Sequence, residues 1–458
     1  MESSEARARE AESPHLKRAV GPFLLLFFIV GDMIGGGIYA LVGTVGAETG
    51  GAIWTAFLLA LVLAVFTAVA YAELVTKYPR AGGAASYVNR AFRTPFLSFM
   101  IAFMVVLSGI TSASALSLAF GRDYLSEFVT LPIVLVALML VTLVSLLNFH
   151  GIQESLRVNV IFTSVEVLGL LLIVVIGVAA VASGTGDVSR AVTFNAEGGG
   201  AATVILAGAV IAFYALIGFE DSVNLAEETR DPARTFPKVL FTGLLLAGII
   251  YLLVTGVAAM VVPTARLTDP EAETTALLQV AQTGPLAVPT WLFALIGLLA
   301  ISNGVLLNLI MASRLIYGMA DQGVMPSICS RIHATRRTPF VAIIIVFLLA
   351  AGLISTGDVT TLASATVVLL LLVFISVNVA VIYLKRDRVD HDHFSAPAFI
   401  PVIGIAVCIG LLTQVELATY GLVAGLLVLG AVLYGVNYLL KRGLDHRPPQ
   451  PEEPAVRP

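Results

Sequence analysis

Apolar residues run along most of this chain without the strict alternation of a half-buried strand or the one-sided stripe of a surface helix. They come in stretches of 18 or more residues separated by short polar segments, the pattern of helices that cross a bilayer. The polar breaks delimit spans at roughly 19–47, 52–76, 85–120, 131–149, 156–183, 202–228, 238–262, 289–320, 339–356, 360–384, 397–414 and 417–440. The expected fold is therefore an all-α membrane protein of about twelve transmembrane helices. Its transmembrane domain is expected at 19–440, between cytoplasmic tails at 1–18 and 441–458. The second tail sets Pro448, Pro449, Pro451 and Pro454 among charges, a composition expected to stay disordered.

Charge orients these spans. Counting from a cytoplasmic N-terminus, only Arg122, Arg190 and Arg266 of the 26 Lys and Arg fall on the outer side. That asymmetry has the sign the positive-inside rule requires, so both termini are expected in the cytoplasm and the chain in a cell membrane, crossing it many times. Composition excludes a soluble protein: 58% of residues are hydrophobic and 12% charged, against about 25% charged in ordinary soluble domains. A net charge of −4 offers no basic excess for nucleic acid.

Catalytic and metal chemistry find no footing in the sequence. The two cysteines, Cys329 in a loop and Cys408 in a span, make neither a disulfide framework nor a thiolate site. All six histidines fall in tails or cytoplasmic loops, so no intramembrane His–Glu centre can be assembled. His391, Asp392 and His393 imitate a metal cluster but have no further ligand nearby in sequence. No phosphate-binding Gly-x-x-x-x-Gly-Lys is present. No cofactor, metal or enzymatic activity is expected.

Two spans are interrupted. The first reads Gly31-Asp32-Met33-Ile34-Gly35-Gly36-Gly37, and three successive glycines favour an unwound turn, tolerated at membrane depth only where it is packed in protein or lines a wet cavity. The sixth reads Phe213-Tyr214-Ala215-Leu216-Ile217-Gly218, with Glu220 and Asp221 following. Breaks in helices one and six are what an inverted repeat of five plus five helices produces, leaving two C-terminal helices outside the repeat. The free N–H groups of such half-helices suit a carboxylate and the free carbonyls an ammonium. A zwitterionic amino acid fits both.

Four separated motifs then resemble the amino acid-polyamine-organocation (APC) transporter superfamily. They are Ile34-Gly35-Gly36-Gly37-Ile38-Tyr39 in the first span; Tyr71-Ala72-Glu73-Leu74 with Tyr78-Pro79-Arg80-Ala81-Gly82-Gly83 after the second; Phe213 to Glu220 followed by Ala226-Glu227-Glu228 and Asp231-Pro232; and Ser313-Arg314-Leu315-Ile316-Tyr317-Gly318-Met319 with Gly323 and Pro326. The resemblance covers about residues 17–440. It implies secondary active transport of an amino acid by alternating access, with an amine or polyamine carrier, an exchanger or a non-transporting sensor as alternatives. It also implies a substrate held at the breaks by Asp32, Met33, Ile34, Gly35, Gly36, Gly37, Phe213, Tyr214, Ile217 and Gly218. Within that set, the carbonyls of Met33 and Ile34 would receive the ammonium, the N–H groups of Gly36 and Gly37 the carboxylate, and Tyr214 would close over the substrate.

Charged and polar residues inside the spans are the remaining candidates. Glu73 reads as a solvated helix-end carboxylate or a gating partner of Arg80. Glu220, Asn224 and Glu227 fall at i, i+4 and i+7, one stripe on the half-helix after the break. Glu227 and Glu228 read as loop anchors beside Arg230 and Arg234, and Asn303 and Asn308 as polar glue between helices. Many proton-coupled superfamily members carry a lysine midway along the fifth helix, where this chain has Glu166. A carboxylate at that depth is costly unless it holds a proton or meets a cation. Glu166, Glu220 and Asp32 are therefore the expected coupling residues, for a proton or a sodium ion.

Overall fold

A computed structural model of the chain describes residues 20–79, 83–150, 152–195, 200–226, 229–267, 275–321, 325–356 and 358–445, with positions 269 and 323. The N-terminal tail, most of the C-terminal one, Arg80, Glu227 and Glu228 lie outside the described residues. The first span is two helices, α1 (Pro22–Ile34) and α2 (Gly37–Thr49), followed by α3 (Ile53–Lys77), α4 (Gly83–Phe92) and α5 (Pro95–Ala119). Next come α6 (Ile133–His150), α7 (Ile152–Ala182), α8 (Ala201–Tyr214) and α9 (Pro232–Val261). The chain continues through α10 (Thr290–Asp321), α11 (Phe340–Thr356), α12 (Val359–Leu384), α13 (Phe399–Leu412) and α14 (Leu417–Asp445). Among the described residues ten helical stretches are long and apolar enough to cross a membrane, and α11 and α13 are shorter apolar helices, matching the expected count of about twelve.

Packing follows the distribution of small residues. On α3, Ala56, Ala60, Ala64 and Ala68 recur every fourth position and are all buried, which lets neighbouring backbones approach closely. Helix α3 packs along α9 and α8, α9 packs on α1, and α2 packs on α8, so the two broken spans share one group of helices. On the other side α5 lies between α10 and α12. The outer faces of α6, α7, α11 and α14 turn Leu143, Leu168, Leu348 and Val428 outward, each more than half exposed.

Three expectations need correcting. The third span does not begin at 85: the chain turns at Arg93 and Thr94, and α5 starts at Pro95. Proline lacks an N–H and biases the preceding residue toward extended backbone, so it opens a helix and cannot continue one. After the second break the chain forms a 3-10 turn at Phe219–Leu225 rather than an α-helix. With three residues per turn, Glu220 and Asn224 do not share the expected α-helical stripe.

Glu73 is not solvated. Its carboxylate is buried, and Lys385 Nζ, at the end of α12, donates to both oxygens at 2.8 and 2.9 Å and to the Ala396 carbonyl at 2.6 Å. The Ala396 N–H closes the loop onto Glu73 at 3.0 Å. Around this pair, Lys77 donates to the Leu384 carbonyl, Thr76 accepts the Phe394 N–H, and Tyr78 and Arg90 both donate to Asp387. Those last two hydrogen bonds hold the Asp387 carboxyl below its ordinary range. His391 belongs to the same seam, with Nε2 3.2 Å from the Thr76 carbonyl oxygen. Removing one member of a buried pair strands the other charge. Glu73→Ala is expected to lower stability by about 2–5 kcal/mol, read as a drop in melting temperature in detergent. Glu73→Gln combined with Lys385→Met should recover much of the loss; equal melting of Glu73→Ala and parent would contradict a structural pair.

Candidate functional site

Backbone conformation makes both breaks. Helix α1 stops at Ile34; the Gly35 N–H still reaches the Gly31 carbonyl at 3.0 Å, and Gly36, at φ +91°, turns its N–H onto the Ile34 carbonyl at 2.7 Å. Helix α8 stops at Tyr214, and the chain turns through Gly218 at φ +123°. Both φ values fall where only glycine sits without strain. The breaks also touch. A Cβ on Gly218 would stand 2.9 Å from the Asp32 carbonyl carbon, and one on Gly37 2.9 Å from Ala215 Cα.

Breaking a helix leaves carbonyls unsatisfied, and one side chain serves both breaks. The buried Tyr251 of α9 points its hydroxyl at the carbonyl oxygens of Met33, 2.6 Å away, and Ala215, 2.9 Å away. The Met33 carbonyl, expected to meet a substrate ammonium, thus already has a protein donor. At the second break the Gly218 N–H donates to Glu220 Oε2 at 2.9 Å.

Between the breaks lies a small, partly open cavity. Of the residues expected at the site, Asp32, Met33, Gly35 and Gly37 line it from the first break, and Tyr214, Ile217, Gly218 and Glu220 from the second. Ile34, Gly36 and Phe213 do not. Gly36 faces α5 and α10, where a Cβ would come within 3.0 Å of Leu116 and 3.1 Å of Ile301. Phe213 packs edge-on against Phe374, in an aromatic cluster with Tyr71 and Phe219.

The far wall is absent from the sequence reading except for Asn308. Ser108 and Ser112 of α5, Asn308 of α10 and Thr366 of α12 line the cavity, and so does Asp221 beside Glu220. The Tyr214 hydroxyl lies 2.9 Å from Ser112 Oγ, joining the second break to α5. Hydroxyl residues inside apolar helices were the available signal, but their helical phase relative to the breaks depends on tertiary packing.

Glu166 stands apart from this cavity. It is fully buried on α7, neither carboxylate oxygen has a hydrogen-bond partner, and the Asn303 side chain is its polar neighbour. Asn303 is itself linked to Asn159 at 3.3 Å and Thr163 at 3.4 Å. Tyr39 of α2 donates to the Glu166 backbone carbonyl at 2.8 Å, tying α7 to the half-helix after the first break.

The family model for amino acid permeases matches residues 20–430. The chain belongs to the amino acid permease family. The resemblance read from the four motifs therefore holds, and the permease is a multi-pass membrane transporter. It is 27% identical to the branched-chain amino acid permease of Bacillus subtilis over 446 residues, 92% of each chain. It is 30% identical to the vacuolar cationic amino acid transporter 4 of Arabidopsis thaliana, across 84% of this chain and 67% of that one. With the low-affinity putrescine importer PlaP of Escherichia coli it shares 29% identity over 84% of this chain and 85% of the relative.

Contact between the permease's two breaks predicts the effect of a single methyl group. Gly218→Ala combines a strained φ with a clash against Asp32, whereas a Cβ on Gly256 of α9 meets nothing within 4 Å. Gly218→Ala is expected to weaken substrate binding by about 10-fold or more, from about 1–3 kcal/mol of strain, while Gly256→Ala binds as the parent does. Substrate titrations followed by thermal shift check this, and unchanged affinity in Gly218→Ala would contradict it.

Proposed function

We propose that this permease carries amino acids across the cytoplasmic membrane by alternating access, driven by a proton gradient, with both termini in the cytoplasm. The observation that carries the reading is the meeting of two interrupted helices at one cavity. A continuous pore would need no such break, and a substrate bound between half-helices is released when one group of helices rocks against the other. The N–H groups opening α2, next to Gly37, suit a carboxylate. The unpartnered Oδ2 of Asp32 suits an ammonium. Names of relatives support the substrate class, since they include carriers of branched-chain and cationic amino acids.

Glu166 is the residue we assign to proton coupling. An ionised carboxylate with no counter-charge is costly at this depth, which makes Glu166 a place for a transported proton to bind. Its backbone carbonyl is hydrogen-bonded to Tyr39 of α2, so a rearrangement that charges or discharges Glu166 reaches the first break through one contact. Asp32 and Glu220, which line the cavity, complete the coupling set. Glu166→Gln keeps the shape and removes the titration. In proteoliposomes this variant should retain substrate exchange and lose accumulation above equilibrium under an imposed pH gradient. Accumulation equal to the parent's would exclude Glu166 as the coupling site.

A further inference from the structure

The polar groups of the central cavity are unbalanced in a way that defines its occupant. Three carboxylates, Asp32, Glu220 and Asp221, line it, and no lysine, arginine or histidine does. None of the three belongs to an ion pair among the described residues. The donors in the wall are turned elsewhere. Ser108 Oγ donates to the Val105 carbonyl at 2.8 Å, Thr366 Oγ1 to the Leu362 carbonyl at 3.0 Å, and Asn308 Nδ2 to the Gly304 carbonyl at 2.8 Å. Tyr214 and Ser112 are paired with each other. Glu220 takes the Gly218 N–H, but Asp32 Oδ2 is buried with no partner at all. The side chains of the wall are rich in acceptors, and donors for its carboxylates must arrive with the occupant.

We infer that the cavity selects a substrate with two cationic groups, one an ammonium and the other an ammonium or guanidinium, with Asp32, Glu220 and Asp221 as its counter-charges. This inference rests on the reading of the chain as an amino acid carrier and narrows it. A neutral amino acid brings no net charge: its ammonium is balanced by its own carboxylate, so the three acidic side chains must take up protons or bear their desolvation cost. A second cationic group supplies both charge and N–H donors to the carboxylates that lack them. A cationic amino acid and a diamine share this chemistry and differ in the α-carboxylate, for which the start of α2 is the available donor site.

The test measures affinity by thermal shift of the purified full chain in detergent, titrated separately with lysine, arginine, putrescine, leucine and alanine, and then uptake of the same compounds into proteoliposomes. At least one of lysine, arginine and putrescine should bind about 10-fold or more tightly than leucine and alanine, as loss of a buried charge pair predicts. Preference for lysine or arginine over putrescine identifies the cationic amino acid, and the reverse order the diamine. Asp221→Asn should shrink the cationic preference by about 10-fold. If that variant does not melt cooperatively without ligand, Glu220→Gln provides the same comparison. Leucine or alanine binding as tightly as every cation, with uptake intact, overturns the inference and leaves the transport reading standing. Absence of binding and uptake for all five overturns both.

Discussion

The hydroxyl of Tyr251 is the contact on which the centre of this molecule depends. Inside a bilayer no water is available to satisfy a carbonyl that a broken helix sets free, and each one left alone costs several kcal/mol. Met33 and Ala215 expose such carbonyls on two different broken spans, and both lie within hydrogen-bond distance of the same phenolic oxygen. That oxygen carries one proton, so the two acceptors share it, and the geometry is satisfied only while the breaks stay side by side. The glycines provide the complement: Gly37 and Gly218 let the two backbones come together where any side chain would hold them apart. One donor and two missing side chains thus turn two local irregularities into a single site.

What surrounds the site divides into a rigid seam and an under-satisfied interior. At the end of α3 the chain is stitched to the loop after α12 by Glu73, Lys385, Thr76 and Asp387, with Glu73 paired to Lys385 and Asp387 to Arg90. Near the breaks the opposite holds: Asp32 and Glu166 carry buried carboxylate oxygens without partners. Buried polar groups are ordinarily satisfied, and a carboxylate that is not calls for an explanation such as a ligand, ion or proton. In the proposed mechanism these two residues are where binding and coupling free energy enter.

Some of this was legible in the sequence because it is local. Span number follows from the length of apolar runs, and the two breaks follow from Gly35-Gly36-Gly37 and Gly218, whose backbone preferences need no partner to declare themselves. Pro95 was equally local, and with Asn89, Arg90, Arg93 and Thr94 before it the turn that separates α4 from α5 was readable; extending the third span back to 85 passed over it. Long-range contacts were not legible. Glu73 and Lys385 lie 312 positions apart, and Tyr251 lies 218 from Met33, so neither partnership leaves a periodicity or motif to read. Phe213 shows the reverse error. It adjoins Tyr214 in a motif that resembles a substrate contact, yet its helical phase sends it into the aromatic cluster around Phe374.

A density map of the permease with substrate bound tests the central claim, that the two breaks form one binding site, more directly than any variant. Substrate density should lie between the two breaks, bounded by Asp32 and Gly37 on one side and Tyr214 and Gly218 on the other, with Tyr251 still bridging Met33 and Ala215. Density seated elsewhere, or contacting one break alone with the two drawn apart, would contradict the account.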